Sequence, residues 1–235
     1  MSEAYNVLGI IPARGGSKGI PRKNLVDVAG KPLIAWSIES GLQSRTISSL
    51  IVSTEDDEIA RVSVEYGAKV PFMRPAELST DGAHSLPVVQ HAIEAMEALD
   101  GCTYDIVVLL QPTTPARTVE DIDHGIELLI ETGADSVISV VDVGANHPLR
   151  MMKILDDGHL VNYVDQGFTD MRPRQELPPV YIRSGDLYIV RRNIVMEMNA
   201  LVAQDCRAVV VPEERAVNID TRADLERARE LLGNR

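Results

Sequence analysis

Aromatic residues, cysteines and long apolar runs are scarce in this chain of 235 residues. Aromatic side chains make up only 4% of it, so the core must be aliphatic, which suits buried parallel strands. Two cysteines, Cys102 and Cys206, lie far apart without a Cys-x-x-Cys pair, which argues against a disulfide framework or a zinc site. No apolar run in the sequence approaches the about 20 residues that a membrane helix needs. We therefore expect no membrane partner.

An excess of positive charge is also missing. The formal net charge is −12, which repels the phosphate backbone of nucleic acids and makes them unexpected partners. The charge leaves room for a small phosphorylated substrate, because a locally basic pocket can form in an acidic protein. The first residues lack the basic start and longer apolar region of a signal peptide. These features predict a soluble, cytoplasmic protein.

The apolar pattern alternates between strand and helix along the first 141 residues. This alternation predicts an α/β fold with a mostly parallel sheet, whose ligands lie beyond the carboxyl ends of the strands. Within the second helix we expect Ile59, Val62 and Val64 to be buried. The predicted strands are 7–11, 50–53, 106–110 and 136–141, and the predicted helices are 33–42, 56–66, 85–99 and one capped by Thr118.

The alternation breaks after residue 141. Residues 151–164 are typical of a β-hairpin turning at Asp156-Asp157-Gly158. We interpret 1–235 as a single domain in which 145–183 is an insertion that lies over the sheet or contacts a partner subunit. Strand character returns at 187–190 and 208–211, and a last helix starts at Thr221 with Asp224 in a capping-box-like position.

Residues 14–24 carry the strongest chemical signal. Glycines let the backbone present its amide groups without side-chain obstruction, and nearby cations oppose the charge of a triphosphate. The loop differs from the Walker A loop and from Gly-x-Gly-x-x-Gly, which weakens the ATPase and dinucleotide interpretations. The alternative is a basic surface loop with turn glycines. The three glycines are Gly15, Gly16 and Gly19, and the four cations are Arg14, Lys18, Arg22 and Lys23.

Motifs along nearly the whole chain resemble those of the CMP-sialic acid synthetases, the acylneuraminate cytidylyltransferases. The loop from Ile10 to Asn24 resembles the family's opening motif. The other matches, in the same order, are 30–34, 51–56, 74–78 followed by Asp81 and Ser85, 109–117, 173–175, 185–188 and 218–221.

This resemblance implies a Rossmann-like three-layer nucleotidyltransferase fold and transfer of CMP from CTP to a sialic-acid-like nonulosonic acid. It also implies Mg²⁺ and a homodimer, with 145–183 as the dimerisation segment. Catalytic roles fall on Arg14, Lys18, Lys23 and Asp220. Nucleotide binding falls on Ala13, Arg14, Gly15, Gly16, Ser17, Lys18, Asn24, Arg74 and Ser85. Sugar binding falls on Gln111, Arg150, Tyr188 and, from the neighbouring subunit, Arg174, while Asp220 and Asn218 are the metal candidates.

Simpler roles stay open for several of these residues. Arg74 could be an ordinary solvated charge, Gln111 a strand cap and Tyr188 a core residue. Asp220 could merely neighbour the start of the last helix. The chain also departs from the family pattern. Asn218 replaces an aspartate of many relatives, Asp186 replaces an alanine, and Leu201 and Val202 stand where some relatives place two aromatics.

Two other functions compete with this one. A KDO-type cytidylyltransferase would use the same nucleotide with an eight-carbon sugar acid, although residues 18–24 fit the sialic acid branch better. A catalytically silent nucleotide-binding regulator is favoured by Asn218 alone. The departures at Leu201 and Val202 also point towards legionaminic or pseudaminic acid rather than N-acetylneuraminate.

Overall fold

A computed structural model describes residues 5–80 and 82–233. The strands are β1 (Val7–Pro12), β2 (Asp27–Val28), β3 (Lys31–Pro32), β4 (Ser49–Ser53), β5 (Ile106–Leu109), β6 (Ser136–Asp142), β7 (Met152–Ile154), β8 (Leu160–Asn162), β9 (Tyr181–Arg191) and β10 (Cys206–Val210). The helices are α1 (Leu33–Gln43), α2 (Asp57–Glu65), α3 (Ser85–Asp100), α4 (Val119–Thr132), α5 (Arg192–Met196) and α6 (Arg222–Gly233).

Six strands form the central sheet in the order β10-β6-β9-β5-β1-β4. β1 pairs in parallel with both β4 and β5, and β10 pairs in parallel with β6. The sequence prediction of a mostly parallel sheet is therefore confirmed. The exception is β9, which is antiparallel to both of its neighbours and longer than the predicted strand 187–190. Its first half consequently lies at the carboxyl edge of β5.

Aliphatic side chains of the helices cover both faces of the sheet, which confirms the three-layer architecture. Helices α1, α2 and α4 bury one face, where Ile38 and Ile126 are among the packed residues. Helices α3 and α5 bury the other face, where Ile93 and Val195 pack. Helix α6 closes a smaller cluster beside the loop that follows β1.

One buried position predicted for α2 was wrong. Ile59 and Val62 are buried, but Val64 is 59% exposed. A helix turns about 100° per residue, so position 64 lies about 200° around the helix from position 62 and faces solvent. The apolar character of Val64 alone did not reveal this.

Residues 145–183 contain the predicted hairpin. β7 and β8 form an antiparallel pair outside the main sheet, with Met152 opposite Asn162. β9 starts at Tyr181, so the last residues of the predicted insertion belong to the central sheet. The part of this segment that precedes β9 exposes several large apolar side chains, including Ile154, Leu160 and Phe168. Across residues 5–80 and 82–233, none of the helices is long and apolar enough to cross a bilayer.

Candidate functional site

A cavity of about 250 Å³ opens beyond the carboxyl ends of β1 and β5. This is the edge at which ligands of α/β sheets bind. Ala13, Gly15 and Lys18 belong to the same loop, on which Lys18 is exposed. Asp81, which belongs to the resembling nucleotide segment, lies outside the described residues. Eight residues predicted from the sequence line this cavity: Arg14, Gly16, Ser17, Lys23, Asn24, Arg74, Ser85 and Gln111.

The end of β4 shapes the first half of the loop. The Ala13 N–H donates to the Ser53 carbonyl at 2.9 Å. Two residues later, the Gly15 N–H donates to Oε1 of Glu55 at 2.8 Å. A Cβ on Gly15 would collide with the Asp56 carboxylate, whereas a Cβ on Gly16 would meet nothing within 4 Å. A side chain at position 15 would therefore have to displace the Asp56 carboxylate, whereas one at position 16 would not.

Arg22 stabilises the loop from the outside. Its guanidinium forms two hydrogen bonds to Asp56 and one to Glu58, both carboxylates of the turn into α2. The hydrogen bond from Arg22 is the main cause that lowers the pKa of Asp56 below its usual value. We expected four loop cations to face a phosphate chain. The structure corrects this for Arg22, because two carboxylates already bind it.

The far end of the loop contacts the segment before α6. Nζ of Lys23 donates to the Ile219 carbonyl at 2.8 Å and to Oδ1 of Asp220 at 3.2 Å. Nδ2 of Asn218 donates to Oδ2 of the same carboxylate at 3.0 Å. The three polar side chains predicted here as catalytic or metal-binding therefore lie together, although Lys23 and Asp220 are 197 positions apart in the sequence.

Arg74 enters the cavity as a buried cation. It is only 5% exposed, so the alternative of an ordinary solvated charge is wrong. Nη2 donates to Oε2 of Glu55 at 2.8 Å, and Nε donates to Oγ of Ser79 at 3.0 Å. Burial alone would raise the pKa of Glu55, but the hydrogen bonds from Arg74 and Gly15 outweigh it and lower that pKa. Glu55 is therefore ionised at neutral pH.

A second cavity of about 370 Å³ adjoins the first. The two share Ser85 and Gln111, which places both residues at the junction. Arg183, which the sequence analysis missed, contributes a cation to the second cavity because β9 runs antiparallel beside β5. The complete lining is His84, Ser85, Leu86, Leu109, Gln111, Arg183, Tyr188, Leu201 and Val202.

The buried Arg117 links the backbone at Gln111 to β9 and α1 through hydrogen bonds. Its Nη1 donates to the Asp186 carbonyl at 2.6 Å and to the Gln111 carbonyl at 3.3 Å, and its Nη2 donates to Oγ of Ser37 at 2.6 Å. Burial lowers the pKa of Arg117 to about 10, which leaves it charged at neutral pH. The Asp186 carboxyl is also buried, and burial raises its pKa. Sequence spacing gave no sign of this arrangement, since residues 117 and 186 belong to different elements.

Arg150 and Arg174 lie in the 145–183 segment. Nη2 of Arg150 donates to the Arg172 carbonyl at 2.8 Å. Nη2 of Arg174 lies 3.7 Å from Oδ1 of Asp142, and this side chain is largely exposed. Within one chain Arg150 therefore contacts the segment itself, and Arg174 lies near the end of β6. Their predicted sugar contacts stay predictions.

Asp220 is the carboxylate of this region that the sequence analysis proposed as a metal ligand. Over the described residues there is no group of three or more His, Cys, Asp or Glu side chains that could hold a metal. The exposed Asp220, with the amide of Asn218 beside it, contacts Lys23 at the end of the loop that follows β1. Mg²⁺ commonly takes one or two carboxylates and completes its shell with substrate phosphates and water. The site fits that mode and does not fit an all-protein cage.

Comparison with known proteins points to one family. Residues 8–234 match the family model described as cytidylyltransferase. The chain is 35% identical to a pseudaminic acid cytidylyltransferase from Campylobacter jejuni, over 94% of each chain. It is 35% identical to a CMP-N,N'-diacetyllegionaminic acid synthase from Legionella pneumophila, over 93% of this chain and 92% of that protein.

Two matches are more distant. An N-acylneuraminate cytidylyltransferase from Escherichia coli is 30% identical over 94% of this chain, which spans only 51% of that protein. A solved CMP:2-keto-3-deoxy-manno-octonic acid synthetase complexed with CTP superposes with a TM-score of 0.70 at 19% identity, covering 97% of this chain and 99% of the other. At that identity the likeness shows the shared fold alone.

Proposed function

The chain belongs to the cytidylyltransferase family, and from this we propose that it transfers CMP from CTP to the anomeric hydroxyl of a nonulosonic acid. The observation that carries the proposal is the pair of adjoining cavities that share Ser85 and Gln111. One is lined by the glycine-rich loop and its cations. The other joins a cation to an apolar wall, as an acidic sugar with acyl groups requires.

The first cavity suits CTP. Gly16 and Ser17 line it and would present backbone amides to the phosphates, whereas the amides of Ala13 and Gly15 already donate within the chain. Arg14, Lys18 and Lys23 would supply positive charge for the triphosphate. Asn24, Arg74 and Ser85 would contact the cytidine. Asn24 also stabilises the loop, since its Nδ2 donates to the Arg14 carbonyl at 2.9 Å.

The second cavity suits the sugar acid. Arg183 would bind the carboxylate, because a guanidinium matches a carboxylate with two parallel hydrogen bonds. Gln111 and Tyr188 would orient the ring. Leu201 and Val202 give the remaining wall an aliphatic surface. This wall favours legionaminic or pseudaminic acid, the substrates named for the two relatives at 35% identity.

The reaction is an in-line displacement at phosphorus. The anomeric oxygen forms a bond to the α-phosphorus of CTP, and the bond from that phosphorus to the bridging oxygen of pyrophosphate breaks. The hydroxyl loses its proton to water, and pyrophosphate departs with the electron pair. The role of the chain is to position both substrates and to stabilise negative charge with Arg14, Lys18 and Lys23.

Asp220, with Asn218 beside it, would hold Mg²⁺ against the phosphates. When bound, the ion would neutralise charge on the leaving pyrophosphate and acidify the attacking hydroxyl. We expect Asp220→Asn to abolish most magnesium-dependent turnover, because the site has one carboxylate. A magnesium titration identical to that of the wild type would show that the ion binds elsewhere.

The 145–183 segment would join two copies in a homodimer, with Arg174 reaching the neighbour's sugar site. Its exposed apolar side chains support this role. The two free cysteines and the absence of a membrane-spanning helix over residues 5–80 and 82–233 support a place in the cytoplasm.

Pyrophosphate release with Mg²⁺ across a substrate panel tests the proposal. The sugar acids are N-acetylneuraminate, legionaminic acid, pseudaminic acid and KDO, and ATP, GTP and UTP serve as nucleotide controls. We expect turnover with CTP and a nine-carbon acid. Turnover with KDO alone would reassign the substrate to the eight-carbon class. CTP binding without turnover on the whole panel would favour a protein made silent by Asn218.

A further inference from the structure

We propose that Glu55 is a positioning residue that couples the phosphate-binding loop to Arg74, so that the two ends of CTP are held in fixed relation. This inference rests on the proposed function, which gives CTP to the first cavity. Glu55 is not among the residues that line that cavity. Glu55 would therefore affect CTP binding through its contacts with Gly15 and Arg74.

Each oxygen of the Glu55 carboxylate serves a different side of the cavity. Oε1 accepts the Gly15 N–H at 2.8 Å, and Oε2 accepts Nη2 of Arg74 at 2.8 Å. Gly15 lies on the loop that would bind phosphate, and Arg74 lies where the base would bind. One side chain therefore sets the distance between two subsites of a single ligand.

Beyond the end of β4, the Glu55 carboxylate replaces a backbone carbonyl as the hydrogen-bond acceptor of the loop. The Ala13 N–H donates to the Ser53 carbonyl, which continues the parallel ladder of β1 and β4 by one step. The next alternating amide, that of Gly15, pairs with the Glu55 side chain instead of a backbone carbonyl. Glu55 thus fixes the loop at the point where the backbones diverge.

The Glu55 carboxylate also serves as the counter-charge of Arg74. The backbone N–H of Arg74 donates to the Thr54 carbonyl at 2.8 Å, and its Nε donates to Ser79. The backbone of Arg74 is therefore attached to the turn that carries Glu55, and Ser79 orients the guanidinium. A buried cation is costly without a counter-charge, and Glu55 supplies it within hydrogen-bond distance. The lowered pKa of Glu55 agrees with a carboxylate that is ionised between two donors.

Glu55→Gln removes this coupling with little change of shape. The amide has one acceptor oxygen, so it can satisfy Gly15 or Arg74 but not both. Glu97→Gln is a matched control far from the cavity. Glu97 likewise accepts one backbone N–H, from Tyr104, and pairs with one arginine, Arg192. The side-chain exposures are similar, 23% for Glu55 and 16% for Glu97.

The test is calorimetric titration of CTP with Mg²⁺ into the whole chain, with no sugar acid present. We expect Glu55→Gln to weaken CTP binding about tenfold or more, as the loss of a charge-assisted contact implies. Glu97→Gln should bind CTP as the wild type does. In turnover assays Glu55→Gln should raise the KM for CTP and leave the KM for the sugar acid unchanged. A merely structural role would shift both.

A double-substitution cycle separates coupling from independent effects. Arg74→Gln alone should weaken binding, and the combined Glu55→Gln, Arg74→Gln protein, which carries neither of these two charges, should bind within about twofold of Arg74→Gln. The coupling would be overturned if Glu55→Gln bound CTP with wild-type affinity. It would also be overturned if the loss of CTP affinity in the double variant equalled the product of the two single losses. Both outcomes would leave the proposed function intact. A wild-type chain that does not bind CTP would overturn the proposed function and this inference together.

Discussion

At the scale of single residues, the four cations of the loop after β1 differ in their surroundings. Arg22 is bound by Asp56 and Glu58, and it holds the loop in place. Arg14 lines the first cavity, and Lys18 is exposed on the same loop. The charge that would meet a triphosphate is therefore expected from Arg14, Lys18 and Lys23.

Lys18→Ala should lower kcat strongly, on the order of 100-fold, because a fixed charge that stabilises the transition state is lost. The fold should persist, since Lys18 is a solvent-side residue. Pyrophosphate release and thermal unfolding measure the two effects. Lys69→Ala, another exposed lysine, is the control and should leave kcat unchanged. Near-normal turnover of well-folded Lys18→Ala would remove Lys18 from the triphosphate site.

Asp186 should make folding depend on pH. Its carboxyl is 1% exposed, near Ser184, Arg117, Asp121 and Arg215, and burial raises its pKa above the ordinary 3.8. Above pH 3.8 the unfolded chain loses this proton before the folded chain does. The contribution of Asp186 to the free energy of unfolding therefore falls as pH rises through the raised pKa.

Asp186→Asn should remove this fall. Above the raised pKa we expect a gain on the order of 1 kcal/mol in the free energy of unfolding, because the variant no longer buries the carboxylate charge at position 186. Below pH 3.8, where Asp186 is protonated in both the folded and the unfolded chain, the variant and wild type should differ least. Denaturant unfolding across a pH series gives the difference between the two proteins. A difference that does not change with pH would contradict the assignment.

At the scale of elements, the loop is fixed at both ends by other parts of the chain. Glu55 and Asp56, after β4, hold its beginning and Arg22, while the segment before α6 holds Lys23. A Cβ on Gly19 would lie 2.7 Å from the Asp220 carbonyl oxygen, so the loop also touches that segment through backbone. The loop is therefore preorganised by two other segments of the chain.

Gly15→Ala should disturb this arrangement, because its Cβ would displace the Asp56 carboxylate that binds Arg22. Displacing positioning groups by about 1 Å can cost on the order of 100-fold in rate, so we expect a fall of that size in kcat/KM for CTP. Gly16→Ala meets open space and should stay within a few-fold of wild type. Equal effects of the two substitutions would show that close approach at Gly15 is unimportant.

At the scale of the molecule, the β7–β8 hairpin extends apolar surface away from the central sheet. Ile154 is 74% exposed and Leu160 is 61% exposed. Exposed apolar groups that cluster in one segment are typical of protein interfaces. The segment also carries Arg174, so assembly and sugar binding would depend on each other.

Ile154→Glu should convert a dimer to a folded monomer by placing charge in the proposed interface. Analytical ultracentrifugation measures the mass, and circular dichroism checks the fold. Val64→Glu is the control, because Val64 is 59% exposed on α2, and it should remain a dimer. If Arg174 completes the neighbour's site, the monomer should lose at least tenfold in kcat/KM for the sugar acid. A wild type that sediments as a monomer would contradict the dimer.

Local patterns in the sequence were sufficient to predict the layered fold and the glycine-rich loop that follows β1. Short aliphatic runs become buried strands such as β1 and β5, and the predicted helix 85–99 forms α3, in which Val89, Ile93 and Met96 are buried at helical spacing. These features follow from neighbours along the chain. Parallel strands then bring the ends of β1 and β5 to one edge, which is why Arg14 and Gln111 line the same cavity.

Only the tertiary structure decided which polar groups meet. The contact of Gly15 with Glu55 spans 40 positions, and that of Lys23 with Asp220 spans 197. The direction of β9 brought Arg183 to the second cavity. Such pairs leave no periodic trace in the sequence, because a hydrogen bond depends on the distance between two atoms in space and not on the spacing of residues.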